Sequence, residues 1–184
     1  MRGFDSDVRD VKIIEPTIFE DERGYFFEAY NAKKFEEFIG FSPNFCQTNE
    51  SFSKRGTIRG LHLQKEPHAQ SKLVRVIVGE ILDVIVDCRR ESHTVGKHIK
   101  IILSAENKRQ VWLPKGFAHG FQTLSENCIV SYQVDSPYVE SAEVSINPFD
   151  KDLQIHWPNL DSYILSDRDK SGIPFSTFVT VNGL

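Results

Sequence analysis

From Arg59 to Val78 the alternation of hydrophobic and polar positions marks out a strand with chemistry on one face. Leu61 and Leu63 fall on one side of the run and His62 on the other, with Arg59 and Gln64 at its ends. Inward-facing Arg and His side chains are costly to bury unless partners await them. After a polar loop, Lys72 opens the apolar run Leu73-Val74-Arg75-Val76-Ile77-Val78. With Ile81 to Val86 across Gly79-Glu80, this run predicts a hairpin closed by Asp87-Cys88-Arg89.

Elsewhere the pattern is again that of short strands. Val11 to Ile18, broken at Glu15-Pro16, predicts an edge strand, and Asp21-Glu22-Arg23-Gly24 a turn. Tyr25 to Tyr30 reads as a strand in register with Arg23, Phe26 and Glu28. Phe45 to Phe52 is polar for a strand, with Gln47 and Asn49 on one face. Strands are also predicted at Ile99 to Leu103, at Gln110 to Leu113 and from Cys128 to Val134, which includes Tyr132. Pro114 to Phe121 reads as a loop carrying His119 near the start of the next strand. The one convincing helix starts at Asn31 as N-cap, has Phe35, Phe38 and Ile39 as an apolar stripe, and ends at Gly40. Beyond Tyr138 the pattern becomes irregular, with breaks at Pro148, Pro158 and Pro174, and residues 147–184 are expected to be irregular or helical. Strands at this spacing point to an all-β antiparallel barrel or sandwich, with a ligand held in its mouth.

Length and charge narrow the classes. The 184 residues suit a single domain with a substantial core. A formal net charge of −4, with no long Lys/Arg run, argues against nucleic acid as partner. No apolar stretch reaches membrane-spanning length, and the charged start has no signal core. Cys46, Cys88 and Cys128 fit no paired pattern and read as buried free thiols of a cytoplasmic protein. On the residues alone, His62 and Lys72 are an imidazole and an ammonium suited to removing a proton beside a carbonyl. The structural alternative, a His bonded to a backbone carbonyl and a Lys in water, stands beside that reading.

Several segments together resemble the dTDP-4-dehydrorhamnose 3,5-epimerase family. They are Asp21 to Phe26 with Glu28, Gln47-Thr48-Asn49-Glu50-Ser51, Arg59 to Gln64, Lys72-Leu73-Val74, Pro114 to Phe121, Tyr132, and Leu165-Ser166-Asp167-Arg168-Asp169. The resemblance covers nearly the whole chain and implies a cupin-type jelly roll. It further implies His62 as base oriented by Asp169, Tyr132 as acid on the other face of the sugar, and Lys72 at the enolate oxygen. Arg23, Phe26, Glu28, Gln47, Thr48, Asn49, Arg59, His119, Glu143 and Arg168 would line a dTDP-sugar site. In similar enzymes the strand carrying Arg23, Phe26 and Glu28 completes the neighbouring subunit's site, so the strands of residues 1–30 would contribute to a homodimer, the product serving dTDP-L-rhamnose, deoxysugar and O-antigen synthesis. Two departures from the family pattern bear on which sugar is bound: Gln133 after Tyr132, and Val144-Ser145-Ile146-Asn147-Pro148 after Glu143.

The chemistry is sound independently of the family. A C4 ketone acidifies the protons on C3 and C5; a cation at the developing oxyanion and a base worth about 10²–10⁴-fold suffice without metal or cofactor. Three rivals remain. Pro114, Gly116 and His119 match a metal-binding cupin motif, but Gln64 stands where that motif's second histidine would be. A non-catalytic binder would have no need of a base and an acid together. A single-site epimerase would invert only C3 or C5.

Overall fold

The computed structural model describes residues 1–158 and 162–181. Its strands are β1 (Arg2–Asp5), β2 (Lys12–Glu15), β3 (Phe19–Asp21), β4 (Gly24–Phe26), β5 (Gln47–Lys54), β6 (Ile58–Gln64) and β7 (Lys72–Val78). They continue as β8 (Glu80–Asp87), β9 (His98–Ser104), β10 (Gln110–Leu113), β11 (Phe117–Thr123), β12 (Asn127–Val134) and β13 (Glu143–Ser145). Helix α1 (Ala32–Ile39) follows β4, and α2 (Asp167–Lys170) and α3 (Phe175–Val181) close the chain.

Two antiparallel sheets face each other. One has the order β1-β2-β10-β7-β12-β5, the other β13-β6-β11-β8-β9, and β3-β4 is a separate hairpin. Val74, Val76, Val111 and Val130 of the first sheet meet Ile81, Ile85, Leu103 and Phe121 of the second in the central core. The back of the five-stranded sheet, with Leu61, Leu63, Val84 and Ala118, is covered by Trp157, Phe175 and Phe178. The back of the six-stranded sheet is covered by α1 through Phe35 on Trp112, their rings edge-on at 5.4 Å. This layering is the jelly-roll architecture that the strand pattern and the resemblance imply.

Local expectations fare unevenly. Helix α1 has its cap at Asn31, whose side chain accepts from the Lys34 amide, and a left-handed Gly40 at its end. The predicted hairpin of residues 73–86 does not exist: β7 pairs with β10 and β12, and β8 with β9 and β11. Gly79, at φ +80°, turns the chain from one sheet into the other, so the apolar runs face each other across the core. The strand at Lys12–Glu15 is interior, because β1 forms the edge outside it. The run from Tyr25 stays extended only to Phe26. His119 lies within β11, not in a loop before it. Among the described residues of the segment 147–184, α2 and α3 are short helices and the rest is largely irregular; residues 159–161 and 182–184 lie outside those described. Cys46 is exposed, whereas Cys88 and Cys128 are buried, and all three thiols are free.

Candidate active site

Between the sheets the core gives way to a cavity of about 390 Å³, within the roughly 300–1,000 Å³ typical of small-molecule sites. Ser51, Arg59, His62, Lys72, His119 and Tyr132 are among the residues around it, with Arg168 and Asp169 from α2. Strand alternation explains who faces inward. On β7, Lys72 shares its face with the core residues Val74 and Val76; on β12, Tyr132 follows Cys128 and Val130. Tyr132 pairs with Val74 and Val134 with Lys72, so the two side chains are diagonal neighbours, the ammonium 5.9 Å from the ring centre. On β6, Leu61 and Leu63 pack outward and His62 inward. Arg59 also reaches the cavity, although strict alternation separates it from His62. The β6–β11 register shifts between the pairs His119–His62 and Phe121–Arg59, which brings it round.

His62 sits at the junction of β6 and α2. Its Nε2 lies 2.5 Å from Asp169 Oδ1. Ser166 caps α2 by accepting from the Asp169 amide at 3.1 Å, and its hydroxyl donates to Asp169 Oδ2 at 2.8 Å. The carboxylate is thus both cap partner and orienting group. Burial alone would raise its pKa, but the bonds from His62, Ser166 and the Gly60 amide outweigh this and lower it. Lys72 is brought down to about 8 by burial, with Glu143 and Asp83 pulling the other way. Burial raises the Tyr132 phenol above its ordinary value, with Arg59 opposing, so it stays protonated at neutral pH. His119 Nε2 lies 2.7 Å from the buried carboxylate of Asp83.

Of the other expected residues, Arg59 and Arg168 border the cavity, whereas Gln47, Thr48, Asn49 and Glu143 are not among the residues that line it. Arg59 is anchored to β5 through Ser53 Oγ at 2.9 Å and the Phe52 carbonyl at 3.0 Å. Arg168 is paired with Glu143 and, at 3.2 Å, with Glu140; Tyr138 Oη donates to Glu143 at 2.8 Å. Gln47 and Asn49 share the inner face of β5 and bond to each other at 2.7 Å. Thr48 lies on the opposite face of that strand and borders a different cleft, with Tyr30 and Arg75. Arg23, Phe26 and Glu28 are not brought to this cavity: Arg23 pairs with Asp21, Glu28 with Lys34, and Phe26 is 67% exposed. Tyr138 and Asp83 reach the site without being among the residues expected from the sequence. The signal for Asp83 was a lone carboxylate inside the run Ile81-Leu82-Asp83-Val84-Ile85. Among the described residues, no cluster of three or more His, Cys, Asp or Glu side chains is arranged to hold a metal ion.

Comparison with known proteins places this geometry. The family profile described as dTDP-4-dehydrorhamnose 3,5-epimerase matches residues 5–177. A protein of that name from Shigella flexneri is 47% identical over 175 residues, 95% of this chain and 96% of the relative. The crystal structure of the epimerase from Legionella pneumophila in complex with dTDP-4-keto-L-rhamnose aligns with a TM-score of 0.92 at 43% identity, covering 95% of this chain and 93% of that one. ChmJ, a 3'-monoepimerase from Streptomyces bikiniensis solved with dTDP-quinovose, aligns with a TM-score of 0.91 at 32% identity, covering 97% and 90%.

Proposed function

Because this chain belongs to the dTDP-4-dehydrorhamnose 3,5-epimerase family, and is thus an isomerase, we propose that its cavity inverts C3 and C5 of a dTDP-4-keto-6-deoxyhexose through an enolate. The observation that carries this reading is the placement of His62 on one sheet and Tyr132 on the other, bordering one cavity with Lys72 beside the phenol.

Asp169 engages His62 at Nε2, leaving Nδ1 to take the proton from C5 or C3. The C–H electron pair becomes a double bond to C4, and the carbonyl pair moves onto the C4 oxygen. Lys72 stabilises that oxyanion in a desolvated setting, where a fixed charge acts strongly. Tyr132 then gives its O–H proton to the opposite face of the same carbon, and the ketone re-forms. Each inversion leaves His62 one proton richer and Tyr132 one poorer, so exchange with solvent must reset the pair. Every inverted carbon therefore carries a hydrogen of solvent origin.

Arg59 and Arg168 are suited to the diphosphate, with Glu143 holding Arg168 in place. Gln47 and Asn49 would contact the nucleotide, whereas the Thr48 side chain points away. Arg23, Phe26 and Glu28 would serve the site of a second subunit in a homodimer, Phe26 offering its ring to the base. The exposure of Phe19 (60%), Tyr25 (59%) and Phe26 on one small hairpin supports that assignment. Free thiols support a reducing, cytoplasmic setting.

A second reading, inversion at one carbon only, draws support from the likeness to the 3'-monoepimerase and from the departures at Gln133 and Val144 to Pro148. Incubation of dTDP-4-keto-6-deoxyglucose in D₂O, followed by NMR, separates the two. Deuterium at both C3 and C5 is expected; label at one carbon favours the second reading, and none defeats both.

A further inference from the structure

On β8 the inward positions are Ile81, Asp83 and Ile85, and both isoleucines belong to the core between the sheets. Asp83 is fully buried there. Its Oδ2 meets His119 Nε2 at 2.7 Å, and its Oδ1 has no hydrogen-bond partner among the described residues. Apolar packing in this position is often as stable as a buried carboxylate–imidazole contact, so the fold alone does not account for it. The His119 ring borders the cavity, and no hydrogen bond at its other nitrogen, Nδ1, is found among the described residues.

We propose that Asp83 is a positioning residue: it holds His119 as the tautomer protonated on Nε2, so that Nδ1 accepts a hydrogen bond from a sugar hydroxyl. The Asp83 carboxylate, with Glu143, also favours the charged form of Lys72. The inference rests on the ketosugar reading of the cavity. The parallel with His62 is direct, since both imidazoles are gripped at Nε2 by a buried carboxylate. One pair comes from β6 and α2, the other from β11 and β8. The groups around Lys72 that bear on its charge are Arg59 and His62 from β6, Asp83 from β8 and His119 from β11. Tyr132 of β12, Glu143 of β13, and Arg168 and Asp169 of α2 complete them. Asp169 is committed to His62, so Asp83 and Glu143 are the carboxylates that favour the ammonium.

The test compares wild-type protein and Asp83→Asn for deuterium incorporation into the ketosugar across pH. An Asn amide would donate to Nε2 and reverse the tautomer. The expected result is a fall in kcat of about 10–100-fold, as is usual for a supporting partner, with KM little changed and the alkaline limb of the profile moved to lower pH. A variant that keeps both kcat and limb overturns the inference, as does a loss of kcat with the limb in place and only thermal stability reduced. Should Asp83→Asn fail to fold, ¹⁵N NMR of histidine-labelled wild-type protein, assigned with His119→Asn, decides the matter. Nε2 of His119 is expected to be the protonated nitrogen, and the opposite tautomer overturns the inference. A wild-type protein that incorporates no deuterium defeats the ketosugar reading itself. Wild-type exchange matched by Asp83→Asn defeats only the role given to Asp83.

Discussion

Lys72 brings a positive charge to a place where only 8% of the residue meets solvent, and the protein pays for this in stability. Its pKa falls from 10.5 to about 8 in the folded state. At 1.36 kcal/mol per pH unit the gap amounts to about 3 kcal/mol. The sign follows from linkage: below pH 8 the group is charged in both states, and the folded one bears the desolvation cost. Between about pH 8 and 10.5 the folded state sheds the proton first, so this group's contribution to stability rises while the cation is lost. Lys72→Met should therefore raise stability at pH 7 by up to about 3 kcal/mol while lowering kcat by about 10²–10³-fold. Urea unfolding alongside deuterium exchange checks both halves; a stabilised variant with full exchange would take Lys72 away from the oxyanion. Individual residues were only partly legible in the sequence. His62 and Lys72 announce themselves as polar groups at strand positions, but the His62–Asp169 contact spans 107 positions that no local pattern connects. Ser166-Asp167-Arg168-Asp169 taken alone reads as a helix cap, which it also is.

At the level of elements, strand existence was largely legible because hydrophobic alternation records burial, while strand partnership was not. The runs on either side of Gly79 look like the two arms of a hairpin, and only the ladders show that each arm joins a different sheet. The close approach of β6 and β11 was equally hidden, although it sets the spacing of His62 and His119. Gly60, at φ +113°, faces Gly120: a Cβ built on Gly60 would lie 2.6 Å from the Gly120 Cα and from the His119 carbonyl. Both are backbone atoms and cannot swing aside. Gly60→Ala should thus push β6 off β11, costing about 1–3 kcal/mol in backbone strain and up to about 100-fold in kcat from misplacement of the base. Gly40→Ala is the control, because Gly40 also has positive φ but open space around it. It should lose about 1 kcal/mol and keep its rate. Equal activity in the two variants would mean that the glycine pair does not set the site.

At the scale of the molecule, apolar clusters among the described residues lie between and outside the sheets, and the polar cavity interrupts the one between them. Fold class and the succession of strands along the chain, though not their order in the sheets, could be anticipated from one chain. How two chains would meet is expected from the family resemblance alone, because the pattern of one chain offers only a hairpin that exposes more aromatic surface than a solvated turn requires. Arg23, Phe26 and Glu28 lie on or next to that hairpin and away from their own chain's cavity. If they complete a partner's site, every site in the proposed dimer combines the core of one chain with the hairpin of the other. Subunits carrying His62→Ala and subunits carrying Arg23→Ala/Phe26→Ala should then each be weak alone at low substrate. Refolded together, half of the dimers are mixed, and in each mixed dimer one site combines an intact core with an intact hairpin. The activity should recover to about a quarter of the wild-type rate. A hairpin that served its own chain would leave every site with one defect, and mixing would restore nothing. Titrating the ratio of the two variants sharpens the outcome. A maximum at equal amounts requires exchange of the hairpin, whereas a straight line between the two parents rules it out.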